Sequence, residues 1–138
     1  MAFNFKQKVA EFKRLEHNLP KIIANSAKRH FLKSFKDEGF TDVTLSPWAK
    51  RTTRNSSDRN NPTKRRGLLI DSGHLRGSID VRVARWDKIK ISSKGIPYAK
   101  YHNRGKGNNP KRQFIGESYV LNEKIKRTIK RNMKKLLK

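Results

Sequence analysis

Between Ile79 and Ile91 the apolar residues occupy alternate positions, whereas on either side of that stretch they recur every three or four. This change of period constrains the fold more than any other feature. A period of two marks a strand with one buried face, and a period of three to four marks a helix with one buried stripe. Ile79, Val81 and Val83 alternate with Asp80, Arg82 and Ala84, and Ile89 alternates with Ile91 across Lys90. Arg85-Trp86-Asp87-Lys88 separates the two runs, which predicts a β-hairpin. A lone hairpin is marginal in water and needs a partner for its apolar face. Helices are predicted on both sides. Upstream, Phe5, Val9 and Phe12 give a short amphipathic helix that Asn18-Leu19-Pro20 interrupts. Ile23, Ala24, Ala27, Phe31 and Phe35 then form a second stripe, stopped at Gly39. The two pieces are either separate helices or one kinked helix. Downstream, Leu121, Ile125, Ile129, Met133 and Leu136 line a long helix that starts near Glu117-Ser118. The expected class is α+β: N-terminal helices, a small antiparallel sheet made of the hairpin plus one or more strands, and a long C-terminal helix packed on the sheet. Tyr98 to His102 is either a third strand or a short helical turn. At 138 residues a single domain is expected over 1–138.

The remaining segments are polar. Phe40, Val43, Leu45 and Trp48 are isolated apolar residues that tether the chain beyond Thr41. From Lys50 to Arg66 no aliphatic or aromatic residue occurs, so nothing offsets the entropy of ordering that run. It is expected to be a mobile basic loop (50–66), and 103–112 a second one. With 33% hydrophobic residues and 35 Lys+Arg against 11 Asp+Glu, net +24, a small core carries long basic excursions. Such a charge attracts polyanions, whether nucleic acid or the acidic face of another protein. Candidate contacts are Lys50, Arg51, Arg54, Lys64, Arg65 and Arg66 in the first loop, with Arg104, Lys106 and Lys111 in the second. The aromatic residues do not alternate with arginines, so no base-stacking platform is indicated.

Catalytic chemistry finds little support. No cysteine occurs, which excludes disulfides and thiolate chemistry. No apolar run approaches the ~20 residues of a membrane span. His17 and His30 lack a second ligand at a spacing of four. Asp71 with His74, and His102 with Asn103, lack the further groups that a catalytic site requires. Gly105-Lys106-Gly107 lacks the Lys-Ser/Thr ending of a phosphate-binding loop. Neither enzyme activity nor a metal or cofactor is expected. Asp71 or Ser72 is instead expected to cap a helical turn that carries Leu75 inward.

Three short elements recur in a fixed order: Ser72-Gly73-His74-Leu75-Arg76-Gly77-Ser78-Ile79, Tyr98-Ala99-Lys100-Tyr101-His102-Asn103-Arg104-Gly105, and Pro110-Lys111-Arg112-Gln113-Phe114-Ile115-Gly116. This resembles the tailed-bacteriophage virion-morphogenesis family, which includes the Mu-like and S-type tail completion proteins. The family elements are Ser/Thr-Gly-x-Leu-x-x-Ser-Ile, Tyr-Ala-x-x-His-x-x-Gly and Pro-x-Arg-x-Phe-x-Gly, and the likeness covers roughly residues 68–118. The net charge and the Asn/Lys/Arg content of the loops exceed what the family leads one to expect. The resemblance implies a non-enzymatic virion protein, made in the host cytoplasm, that completes the tail or joins it to the head. It implies a homo-oligomeric ring, with a hexamer as the working stoichiometry, seated between connector or adaptor and tail terminator, and in reach of packaged DNA. Ser72, Gly73, Leu75, Ser78, Tyr98, His102, Arg112 and Phe114 are then scaffold or subunit-interface residues, with Gly77 allowing close packing and Arg112 clamping a carboxylate of the next subunit. The alternative is a nonspecific nucleic-acid-binding protein that uses its basic loops.

Overall fold

The computed structural model describes residues 2–50, 67–70 and 73–138. Its first element, α1 (Phe5–Asp37), is one continuous helix that includes Pro20, not two pieces. Asn4 caps it, its side-chain oxygen accepting from the Gln7 amide at 3.1 Å. Pro20 removes one internal hydrogen bond, but its ring is buried, and the packed stripe that begins at Leu19 holds the helix together across it. The earlier stripe behaves differently. Phe5 is 70% exposed and Phe12 41%, so the N-terminal half of α1 runs past the core instead of into it.

The stop falls at Glu38, one residue before the glycine. Glu38 adopts the left-handed conformation (φ 49°), and its N–H donates to the Ser34 carbonyl. Gly39 meets a different demand, because a Cβ there would sit 2.7 Å from the Ser46 carbonyl oxygen. That close approach belongs to a hairpin the sequence reading did not predict: β1 (Gly39–Thr41) pairs antiparallel with β2 (Leu45–Pro47). Phe40 and Trp48 are buried, whereas Val43 and Leu45 are exposed and belong to neither core cluster.

After α2 (His74–Ser78), the predicted hairpin is present as β3 (Ile79–Arg85) and β4 (Lys88–Ser93), joined by the two-residue turn Trp86-Asp87. Its register shifts between Val81 and Val83, which makes Arg82 an extra residue on β3. Strict alternation ends there, and Ile89 is 37% exposed. Of the stretch Tyr98 to His102, Tyr98 is the N-cap of α3 (Ala99–Arg104) and the rest lies within that helix. The last element, α4 (Tyr119–Leu137), is capped by Ser118, which accepts from the Leu121 amide at 3.2 Å. The order is helix, strands, helix, an α+β chain with two two-stranded sheets.

The core has two clusters. Phe35, Trp48, Leu68, Leu75, Ile79, Ala99 and Phe114 form the first. Ala27, Phe31, Phe40 and Leu121 form the second, which seats the first turns of α4 against α1, β1 and Ile91 of β4. Ile91 and Ile115 touch both clusters and merge them into one interior. On α4 the buried line runs through Leu121, Ile125 and Thr128, while Ile129 lies at its exposed edge. The start of α4 is fixed by Asp42: its carboxylate accepts from the Tyr119 amide at 2.7 Å and its carbonyl from the Val120 amide at 3.1 Å. A negative group at a helix N-terminus is stabilising, and here it satisfies amides that have no partner inside the helix. Ser118 Oγ donates to the Thr41 carbonyl at 2.8 Å, so the β1–β2 hairpin holds α4 by several bonds.

Phe35 and Phe114 are each 1% exposed. Replacing either by Ala should cost about 3–5 kcal/mol in a urea titration. Phe5→Ala should leave the midpoint nearly unchanged, and a comparable loss there would mean that the N-terminal half of α1 is buried after all.

Candidate functional site

The three sequence elements are separate along the chain, yet their apolar positions meet. Leu75 and Ile79 come from the first element, Ala99 from the second and Phe114 from the third, and all four belong to the cluster around Phe35 and Trp48. Phe114 packs tilted on Phe35 at 5.3 Å between ring centroids, and Trp48 meets Phe35 edge-on at 5.6 Å. Leu75 and Phe114 are thus scaffold.

The polar positions join these elements by hydrogen bonds. Ser78 Oγ lies 2.6 Å from the Leu75 carbonyl and 2.6 Å from Ser93 Oγ. A hydroxyl has one proton, so Ser78 donates to the carbonyl while Ser93 donates to Ser78. Gly73 takes the left-handed conformation (φ 82°) at the N-cap of α2 and supplies no side-chain cap. Asp71 and Ser72, the expected caps, lie outside the described residues. Gly77 has open space where a Cβ would stand, so the close packing expected of it is not present.

The second element ends at Gly105, left-handed at φ 69° and only 2.8 Å from the Lys111 nitrogen at its Cβ position, which only glycine tolerates. Here α3 reaches into the stretch expected as a basic loop at 103–112. Asn103 and Arg104 are helical, and Asn103 pins the third element. Its side-chain oxygen accepts from the amides of Phe114 at 2.9 Å and Ile115 at 3.0 Å, and its nitrogen donates to the Ile115 carbonyl at 3.1 Å. The Arg112 amide donates to the His102 carbonyl at 2.8 Å. On the other side, Trp48 Nε1 donates to the Gln113 carbonyl at 2.8 Å. The Arg112 guanidinium closes on the Ala49 carbonyl through Nε at 3.0 Å and Nη2 at 2.7 Å, a grip within the chain where the sequence suggested one on a neighbour. Residues 112–115 are therefore threaded between 48–49 and 102–103. Asn103 and Trp48 are the residues that sequence reasoning undervalued; the glycine two positions after Asn103, a helix stop, was the available signal.

Behind this scaffold α3 presents a half-polar surface. Tyr98 and Tyr101 are exposed, Tyr98 stands edge-on to His102 at 5.9 Å, and Lys100 Nζ lies 5.3 Å from the Tyr101 ring centre. A groove of about 450 Å³ runs between α3 and β4, lined by Ile96, Pro97 and Ile115 together with Lys100 and Arg104. Elsewhere Phe3 and Phe5 are exposed, and Phe12 and Trp86, also exposed, meet edge-on at 6.5 Å. Of the proposed polyanion contacts, Lys50, Arg104, Lys106 and Lys111 are exposed, while Arg51, Arg54, Lys64, Arg65 and Arg66 lie outside the described residues. Among the described residues no three His, Asp or Glu side chains group as metal ligands, and no helix is long and apolar enough to cross a membrane.

His102 Nδ1 is buried without a hydrogen-bond partner. Burial, reinforced by the Arg112 charge, pushes its pKa below the ordinary value. His30 is shifted the same way by burial, with Lys124 and Lys33 adding to the effect, although its bond to the Thr41 carbonyl opposes it. Comparison with protein-family models, with curated proteins and with solved structures finds no match to this chain.

Two outcomes are expected. Asn103→Ala should destabilise the fold by about 1–3 kcal/mol in denaturant, since it leaves buried amides of the third element unpaired. The histidine shifts favour the neutral form in the folded state. Their contribution is complete above pH about 6.5, the unfolded value, and is lost as pH falls through the lower folded values. Thermal melts from pH 7.5 to 5 should show this decline, and His102→Gln should flatten it. An unchanged slope in that variant would show that His102 takes no part.

Proposed function

We propose that this chain is a structural virion protein that completes the tail or joins it to the head of a tailed phage, acting as a subunit of a ring. The observation that supports this reading is the convergence of the three family-like elements on one core, through Leu75, Ile79, Ala99 and Phe114. The convergence makes the three elements one structural unit, as the reading requires. In the proposed role that core positions two surfaces for neighbouring subunits. One is the groove behind α3 with Tyr98 and Tyr101, whose rings are apolar and whose tips are polar. The other is offered by the exposed aromatic residues Phe3, Phe5, Phe12 and Trp86, of which Phe12 and Trp86 touch. Exposed aromatic groups in such number suit an interface better than a solvated surface. The ring would stand between connector and terminator proteins, without catalytic work.

Native mass spectrometry of the purified protein, alone and with its phage's connector proteins, tests this. A closed ring or a defined complex is the expected result, together with the chain's presence in purified virions. Phe3→Ser with Phe5→Ser, or Tyr98→Ala with Tyr101→Ala, should shift the assembly toward monomer while melting curves stay near wild type. A strictly monomeric protein absent from virions overturns the proposal.

A further inference from the structure

Lys124, Arg127, Arg131 and Lys134 recur along α4 at intervals of three, four and three residues, so they share one face. All four are exposed, and none has an ion-pair partner among the described residues. Glu123 is the only acidic residue in the helix, and it is paired with Lys126 at 3.1 Å. Lys130 and Lys135 flank the stripe and extend the same sign. Like charges at these spacings repel, so the helix carries a row of cations that nothing in the described fold neutralises. The apolar side of α4, Leu121 and Ile125, is already occupied in the interior. A lipid surface is therefore a poor match, since a membrane-bound amphipathic helix needs that side free. Single-stranded nucleic acid is also a poor match, because no aromatic residue lies between Lys124 and Lys134 to stack on bases.

We infer that this face of α4 binds the phosphate backbone of double-stranded nucleic acid without reading its sequence. The geometry suits a linear polyanion: the four cations span about 15 Å of a straight helix, a length over which a duplex presents roughly nine phosphate charges. Each cation then finds a phosphate in any register. This site lies on a rigid helix instead of on the basic loops, and it does not depend on the neck role proposed above.

The test is fluorescence anisotropy of the full chain with a random-sequence 30-base-pair DNA duplex, from 50 to 200 mM salt. Replacing the four cations together (Lys124→Gln, Arg127→Gln, Arg131→Gln, Lys134→Gln) should lower affinity by roughly tenfold or more and reduce the slope of log K against log salt by about 3–4. A matched variant elsewhere (Lys6→Gln, Lys13→Gln, Lys88→Gln, Lys90→Gln) should change both far less. Exchanging Lys and Arg at the four positions should preserve binding, which separates charge from loss of fold, and a duplex of unrelated sequence or of RNA should bind comparably. Equal losses in the two Gln variants would reduce the effect to net charge and overturn the inference. So would tighter binding of single-stranded DNA, of phosphatidylserine vesicles or of polyglutamate than of the duplex.

Discussion

The fold depends on three aromatic side chains drawn from distant parts of the chain. Phe35 ends the long helix, Trp48 follows the first hairpin and Phe114 precedes the last helix, and they meet ring against ring. This contact does two things at once. It removes large apolar surfaces from water, and it lets the Trp48 N–H reach the Gln113 carbonyl and hold extended backbone in place. Once residues 112–115 are fixed, Ile115 can join the two clusters and α4 can dock on α1. With only 33% hydrophobic residues the chain has few spare side chains for this task, so each aromatic in the cluster carries a large share of the interior.

Much of this was legible in the sequence. The helical stripe that ends in Phe31 and Phe35, the β3–β4 hairpin and the capped α4 all follow from periodicity and turn chemistry. What escaped has physical reasons. Pro20 reads as a breaker, but tertiary packing outweighs a single missing hydrogen bond. The β1–β2 hairpin has three-residue strands, too short for alternation to register. The bulge at Arg82 and the αL turn at Glu38 depend on neighbours that no local pattern reveals. The three-element pattern includes Leu75, Ser78 and Phe114, which the fold packs in the interior or ties to neighbouring backbone. It undervalued Asn103, whose importance lies in the distant backbone it satisfies.

Charge and fold are almost separate in this molecule. The interior uses neutral side chains, and the ion pairs on the surface, such as Lys28–Asp80 at 3.0 Å, are open to solvent and contribute little. The excess of Lys and Arg is therefore free to serve interaction without compromising the core. Self-repulsion at net +24 nevertheless works against compactness, and counter-charges from solution or from partners relieve it.

The placement of Phe114 also fixes when the protein can become itself. During synthesis α1 leaves the ribosome early, and Phe35 lacks its Phe114 partner until the third element has emerged. Domains whose key contacts join such distant residues fold slowly, because the intervening loops must close first. For that interval the nascent chain exposes aromatic groups later destined for the interior, beside Phe3 and Phe5, which stay outside even afterwards. That interval is thus its most aggregation-prone, and rapid capture by neighbouring copies or by a chaperone would shorten it.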